Sequence, residues 1–175
     1  MNNRLLIVCL LLTPFLLGGC FFSPPRQTTL PPEIAAEALQ YAFSVEGAPY
    51  AWAGNGPHEF DCSGLIVWSY RQAYPDLMFR IGRKRVVDVS MDDIYRYNSV
   101  PLKPSELRPG DLVFITDSDH RITHGGLFIH WIDESTFRFI NASSTHNAVV
   151  VDTWPLDGRV RDQWFAGAGR LQTVF

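Results

Sequence analysis

The chain has 175 residues and a net charge of −3, which suits one domain together with a targeting segment. Hydrophobic residues make up 46% and aromatic residues 13% of the chain, so a packed core is expected. Because basic residues do not exceed acidic ones, the composition argues against a nucleic-acid-binding protein. One basic cluster is either a solvated loop or a contact for an anionic polymer: Arg80, Arg83, Lys84 and Arg85.

The N-terminus carries a targeting signal. The apolar run from Leu5 to Leu17 is short for a membrane span and is typical of a signal-peptide core. It ends in Leu17-Gly18-Gly19-Cys20, which resembles the lipobox of bacterial lipoproteins. We therefore expect residues 1–19 to be a lipoprotein signal peptide and Cys20 to be acylated; an ordinary signal with an incidental cysteine is the alternative. Since Phe21 follows the cysteine, the resemblance implies anchoring at the outer membrane, facing the periplasm.

The three cysteines leave one free thiol in the processed chain. Cys9 departs with the leader and Cys20 is blocked by lipid, so Cys62 has no disulfide partner. It also has too few companions for a zinc site. An unpaired cysteine in an oxidising compartment needs either burial or a chemical role.

Helical patterns dominate the first part of the mature chain. Prolines mark residues 20–32 as a tether between lipid and domain. Apolar spacing predicts a helix over Glu33–Val45, and glycines and prolines predict a loop over 47–61. A second helix is expected to begin at Cys62 and end before Pro75, and a brief one is expected at Ser90–Ile94.

Strand patterns follow the helices and end the chain. The predicted strands are Leu112–Ile115, His124–Ile132, Thr136–Ser143, Ala148–Trp154 and Trp164–Leu171. Helices followed by an antiparallel sheet predict an α+β fold, with one domain over residues 33–175.

Cys62 is the candidate nucleophile because it lies where the loop becomes a helix. Unpaired N–H groups and partial positive charge at a helix N-terminus favour the reactive thiolate, so a lowered thiol pKa is expected. Gly64 is expected to leave room for a substrate near the helix start. The alternative is a small residue packed inside a helix.

A cysteine nucleophile requires a base, and His124 is the candidate among five histidines. It opens a predicted strand and precedes Gly125-Gly126, which are expected to leave space beside the ring. A structural histidine is the alternative reading. His58 and His120 lie in polar loops, and His130 is flanked by bulky residues.

Asn141 is the candidate third group that orients the base. If Asp133-Glu134 forms a two-residue hairpin loop, Gly126 faces Asn141, and Asn141 becomes a diagonal neighbour of His124. A slip of one residue would turn Asn141 to the other face of the sheet. The alternatives are a structural asparagine and a third group at His146.

Five motifs, in this order, resemble the NlpC-type family of bacterial cell-wall peptidases, which have a compact papain-like fold. They are GAPYAWAG at 47–54, FDCSGL at 60–65, LRPGDLVF at 107–114, HGGLFI at 124–129 and FINASS at 139–144. The resemblance covers residues 36–171 and therefore nearly the whole predicted domain.

The resemblance implies a Cys62 nucleophile, a His124 base and an orienting Asn141. It also implies that Tyr50, Asp61 and Ser63 lie near the substrate. The implied substrate is the peptidoglycan stem peptide, often cut between D-γ-glutamyl and diaminopimelyl residues. The resemblance implies neither a metal nor an organic cofactor. The family often has histidine at the third position, so the asparagine raises a rival reading, a catalytically silent lipoprotein that binds wall peptides or a partner enzyme. A Cys-His amidase or acyltransferase is the other rival.

Overall fold

The computed structural model describes residues 26–175 of the chain. Its helices are α1 (Pro32–Ser44), α2 (Cys62–Ala73) and α3 (Met91–Tyr97), with a 3₁₀ turn at Pro104–Glu106. Its strands are β1 (Gln27–Thr29), β2 (Phe79–Ile81), β3 (Lys84–Val86), β4 (Ser99–Leu102), β5 (Leu112–Thr116), β6 (Ile122–Trp131), β7 (Thr136–Ser143), β8 (Ala148–Pro155) and β9 (Trp164–Val174).

One antiparallel sheet forms the body of the domain. Its strand order is β1-β9-β5-β6-β7-β8, and β4 pairs with β9 beside β1. The strands β2 and β3 form a separate hairpin. Helices packed on an antiparallel sheet confirm the predicted α+β class.

Alternating side chains place a hydrophobic core on each face of the sheet. In β5, Leu112 and Phe114 pack with residues of α1 and α2, whereas Val113 and Ile115 pack on the opposite face. Every residue of β5 is buried, so this strand lies at the centre of the fold. The two cores fix β5 and its neighbour β6, which carries the candidate base.

Several short elements were not predicted. Residues 27–29, assigned to the tether, form strand β1 on β9, and Leu30 is buried in the core. The domain therefore begins before residue 33, and the tether prediction is wrong for these residues. The basic cluster lies on the β2–β3 hairpin instead of an irregular loop. The predicted signal peptide and Cys20 lie outside the described residues.

The β6–β7 hairpin differs from its prediction at the turn but not at the site. Ile132 N–H donates to Thr136 O, so the loop has three residues and the predicted two-residue loop is wrong. A bulge between Phe128 and His130 then shifts the pairing by one residue, and Leu127 lies opposite Ile140. This pairing is the register that the shorter loop had implied, so the two differences cancel.

Among residues 26–175, no helix combines the length and the apolar character that crossing a membrane requires.

Candidate active site

Cys62 occupies the first position of α2 because Asp61 caps the helix. The Asp61 backbone is extended, and its Oδ1 accepts from Gly64 N–H at 2.7 Å and from Ser63 Oγ at 2.8 Å. A carboxylate at this position satisfies a free backbone donor and complements the helix dipole. The cap therefore fixes the position of the Cys62 side chain at the start of α2.

Gly64 permits close packing instead of substrate access. A Cβ at this position would collide with the carbonyl oxygen of Gly54 in the preceding loop. The expectation of open space here is wrong, because the loop itself fills it. The loop is held to the helix start by Asp61 N–H, which donates to the same Gly54 oxygen at 2.8 Å.

The surroundings of Cys62 favour the protonated thiol. Burial, together with the negative charge of Asp61, raises the pKa of Cys62 to about 12, although backbone N–H groups of Ser63 and Cys62 oppose the change. The expected lowering of the pKa is therefore wrong, because desolvation outweighs the helix N-terminus. The side chain is half-buried, and its Sγ lies 3.8 Å from the carbonyl oxygen of Thr123.

His124 lies on β6 opposite Ile115 of β5, and its ring packs edge-on against Phe139 with centroids 6.4 Å apart. The following glycines serve close packing, since a Cβ at Gly125 would meet Val113 O and one at Gly126 would meet Ile140 O. The expectation that they leave space beside the ring is therefore wrong. They bring the neighbouring strands close to the histidine.

Asn141 holds one nitrogen of the His124 ring. Its Oδ1 lies 2.9 Å from His124 Nε2, and its Nδ2 donates to Val150 O at 3.3 Å and to Asp152 Oδ2 at 3.0 Å. Because a carbonyl and a carboxylate only accept, the amide NH₂ must face them and Oδ1 must face the ring. His124 Nε2 therefore carries a hydrogen, and Nδ1 is the basic nitrogen of the neutral ring.

Burial of the His124 ring favours its neutral form. Burial lowers the pKa of His124, and the hydrogen bond to Asn141 and the charge of Asp152 oppose this lowering. A neutral imidazole beside a protonated thiol can accept the thiol proton during attack on a substrate. The pair thus suits general-base activation of sulfur.

Among the described residues, no other histidine is hydrogen-bonded to the His124 ring. His146 Nδ1 lies 3.1 Å from Ser143 Oγ and 3.7 Å from Asp152 Oδ2. His58, His120 and His130 are exposed. Asn141, and not His146, is therefore the group bonded to His124.

Cys62 lies between two cavities that meet at Tyr50 and Thr123. The smaller, of about 100 Å³, also contains His124. The larger, of about 510 Å³, is bordered by Ser63 of α2, by Asp61 and other residues of the 47–61 loop, and by residues of α3. A chain-like substrate that crosses both cavities would pass over the sulfur. Tyr50, Asp61 and Ser63, all predicted near the substrate, line the larger cavity.

The charges around Tyr50 favour its neutral phenol. Burial raises the pKa of Tyr50, and the proximity of Cys62 and Asp61 raises it further. The hydroxyl is therefore available at neutral pH both to donate and to accept a hydrogen bond.

The sequence reasoning missed two groups at this site, Thr123 and Asp152. The Thr123 contact is made by its backbone carbonyl, and because every residue has one, the residue type gives no indication of this contact. Asp152 did leave a signal, because it is the one charged residue in the strand AVVVDTWP. A lone acid in a half-buried apolar strand requires a partner.

Residues 47–170 match the sequence profile of the NlpC/P60 family, which confirms the resemblance given by the five motifs. A probable endopeptidase of Mycobacterium tuberculosis is 34% identical over 95 residues, which are 53% of this chain and 22% of that protein. Murein DD-endopeptidase MepH of Escherichia coli is 29% identical over 129 residues, which are 73% of this chain and 42% of that protein.

A solved structure shows the same fold. A protein of Staphylococcus aureus, described as similar to a lipoprotein of the NLP/P60 family, superposes with a TM-score of 0.55 at 26% identity. The match covers 84% of this chain and 43% of that one. The chain thus spans about a fifth of the mycobacterial relative's length and under half of the other two.

Proposed function

This chain belongs to the NlpC/P60 family, and we propose that it is a cysteine endopeptidase that hydrolyses amide bonds of peptidoglycan stem peptides. Cys62 is the nucleophile, His124 is the base, and Asn141 orients the ring. The relatives are named endopeptidases, which supports the reaction class. The bond that we propose is D-γ-glutamyl-diaminopimelate, with the DD cross-link suggested by the name of MepH as the competing site.

The reaction begins with proton transfer. His124 Nδ1 takes the Sγ proton as sulfur attacks the amide carbon, and the carbonyl electrons move to oxygen. The backbone N–H of Cys62 donates to the oxyanion. His124 then gives its proton to the leaving nitrogen as the C–N bond breaks, which leaves an acyl-enzyme. Water attacks the thioester with His124 as base, and the proton returns to sulfur as the acid is released.

One observation supports this proposal most. The hydrogen bond that His124 Nε2–H donates to Asn141 Oδ1 leaves Nδ1 unprotonated, and the ring lines a cavity that also contains Cys62. A base in this tautomer is what a protonated thiol requires. A protein that only binds wall peptides has no need of it.

Digestion of muropeptides tests the proposal. The full chain, purified in detergent, is incubated with soluble muropeptides and with intact sacculi, and the products are identified by mass spectrometry. We expect fragments cut at a stem-peptide amide with the wild type and none with Cys62→Ala. The masses of the fragments distinguish cleavage between D-γ-glutamyl and diaminopimelyl residues from cleavage of the cross-link.

Three other results would reject an endopeptidase. Retention of muropeptides without cleavage would favour the silent binding protein. Release of the whole stem from the sugar would favour an amidase, and addition of the acyl group to an acceptor would favour an acyltransferase. If Cys62→Ala were as active as the wild type, the sulfur of Cys62 would have no part in the reaction.

We also propose that Cys20 is acylated after removal of residues 1–19 and anchors the enzyme at the outer membrane, facing the periplasm. The lipobox-like tetrapeptide at 17–20 supports this. Metabolic labelling with palmitate should mark the wild type but not Cys20→Ala. Label in both, or in neither, would contradict the anchor.

A further inference from the structure

Asp152 lies behind the proposed triad and has no role in the reaction above. It is on β8, and its Oδ2 accepts from Asn141 Nδ2 at 3.0 Å. Its side chain is 27% exposed and lines the small cavity that contains Cys62 and His124. The carboxylate is therefore connected to the imidazole through one amide.

Asn141 alone cannot set its own orientation. The side chain is fully buried, and its amide has an oxygen on one side and an NH₂ group on the other, of almost the same shape. If the amide turned over, its oxygen would face the carboxylate of Asp152 and the carbonyl of Val150, and both contacts would be repulsive. Asp152 is the closer of these two acceptors, at 3.0 Å against 3.3 Å.

A neutral asparagine also supplies no charge to a protonated base. When His124 takes the thiol proton, the imidazolium sits in a half-buried site where desolvation disfavours it. Asp152 carries a formal negative charge in the same cavity. A negative charge near a buried cation offsets part of its desolvation.

We propose that Asp152 is a positioning residue for the base, one that orients the Asn141 amide and supplies the negative charge that the asparagine lacks. The proposal rests on the proposed function for its effect on turnover. Its effect on the ring of His124 is a property of the resting protein and can be measured without a substrate.

The groups around Asp152 define what a pH experiment must control. Titratable and charged side chains lining the same cavity come from the 47–61 loop, α2, β6 and the segment before β9: Tyr50, Cys62, His124 and Arg161. From the β7–β8 turn, His146 Nδ1 lies 3.7 Å from the same carboxylate oxygen. A protonated His146 would compete for that charge, so each variant is also made with His146→Gln.

The test compares Asp152→Asn with Asp152→Ala. An asparagine can still accept from the Asn141 amide but has no charge, whereas alanine removes both the acceptor and the charge. Asp157→Asn is the matched control, because this exposed carboxylate follows the same strand and does not line the cavity. Thermal melts of all three variants check that the fold is kept.

Nitrogen-15 NMR of the histidine rings gives the direct readout, with His124→Gln used to assign the signal. The wild type should show a proton on Nε2 of neutral His124. Removal of a nearby negative charge destabilises the imidazolium, so Asp152→Asn should lower the pKa of His124 by about one unit. In Asp152→Ala, part of the His124 signal should also come from the Nδ1–H tautomer, because the Asn141 amide is then free to turn over.

Turnover gives the second readout. With muropeptides, kcat should fall about tenfold in Asp152→Asn and about a hundredfold in Asp152→Ala. KM should stay within about twofold, because Asp152 acts on the base through Asn141. The Asp157→Asn variant should match the wild type in both values.

The outcomes separate this inference from the proposed function. If the Asp152 variants match Asp157→Asn in tautomer and titration, the inference is wrong, whatever happens to kcat. If the ring responds as expected but the wild type cleaves no muropeptide, the positioning role stands and the endopeptidase proposal fails.

Discussion

Two carboxylates, Asp111 directly before β5 and Asp152 on β8, anchor polar clusters of different design. Asp111 is 1% exposed, and Arg170 binds both of its oxygens, with Nε to Oδ1 and Nη2 to Oδ2 at 2.8 Å each. Arg108 N–H also donates to Oδ2 at 2.8 Å. We call Asp111, Arg170 and Arg108 the closed cluster, because the guanidinium of Arg170 neutralises the Asp111 carboxylate by direct contact.

Asp152 contacts a neutral amide instead of a guanidinium. Its charge is therefore not neutralised by Asn141, and the hydrogen bonds continue to the His124 ring. That ring lines the small cavity that also contains Cys62. We call Asp152, Asn141 and His124 the open cluster. The difference shows that a carboxylate serves stability when a cation binds it directly, and serves a base when a neutral amide separates the carboxylate from the base.

Removing the cation from the closed cluster should have the largest effect. Arg170→Ala leaves Asp111 buried and unpaired, and we expect a loss of about 3–5 kcal/mol in the free energy of unfolding. Urea denaturation followed by circular dichroism measures it. Below the unfolding transition, the His124 ring signals should stay in place, because Arg170 belongs to the other cluster.

Arg138→Ala is the matched control, since Arg138 is an exposed arginine on β7. Its effect should be within about 0.5 kcal/mol. Equal effects of the two substitutions would mean that the Asp111 pair adds nothing beyond an ordinary surface arginine.

Removing the amide from the open cluster should affect activity more than stability. Asn141→Ala should lower kcat about a hundredfold, because the ring loses its fixed tautomer. Asn141→His should retain more activity, since an imidazole can also accept from Nε2–H. His146→Ala should change kcat less than about threefold, since His146 contacts Ser143 and Asp152 but not the ring of His124.

Steady-state kinetics with muropeptides ranks these variants against His124→Ala. Severe loss in His146→Ala together with unchanged activity in Asn141→Ala would exchange the roles of the two residues. Loss of stability in Asn141→Ala as large as that in Arg170→Ala would show that the open cluster is structural.

The sequence predicted the long elements of the fold because their patterns are local. The helices at 32–44 and 62–73 and the strands from 112 onward follow from apolar spacing and turn residues. Strand β1 was missed because its partner is β9 at the far end of the chain, and three residues carry too little pattern. The strands β2 and β3 also have three residues each, and β4 has four.

The site was predicted unevenly for similar reasons. Cys62, His124 and Asn141 could be proposed from residue type and strand parity, although the hairpin loop was assigned the wrong length. Gly64 was misinterpreted because its neighbour, the carbonyl of Gly54, is visible only in three dimensions. The direction of the Cys62 pKa shift was also wrong, because the sequence shows the helix start but not the burial of the sulfur.

The smallest expected effect concerns the thiol that the open cluster must activate. Burial raises the pKa of Cys62 to about 12, so the thiolate fraction should rise about tenfold per pH unit from pH 7 to 10. Alkylation by iodoacetamide, followed by mass spectrometry, should show this slope. Asp61→Asn keeps a helix cap but removes a charge that raises the pKa, so alkylation should become about threefold faster.

Asp88→Asn controls for charge in the larger cavity, because Asp88 lines that cavity but does not shift the Cys62 pKa. It should alkylate at the wild-type rate. A rate that is already constant above about pH 5 would instead mean a preformed thiolate–imidazolium pair. In that case Asp152 would stabilise a permanent cation, and the open cluster would resemble the closed one in holding a buried ion pair at rest.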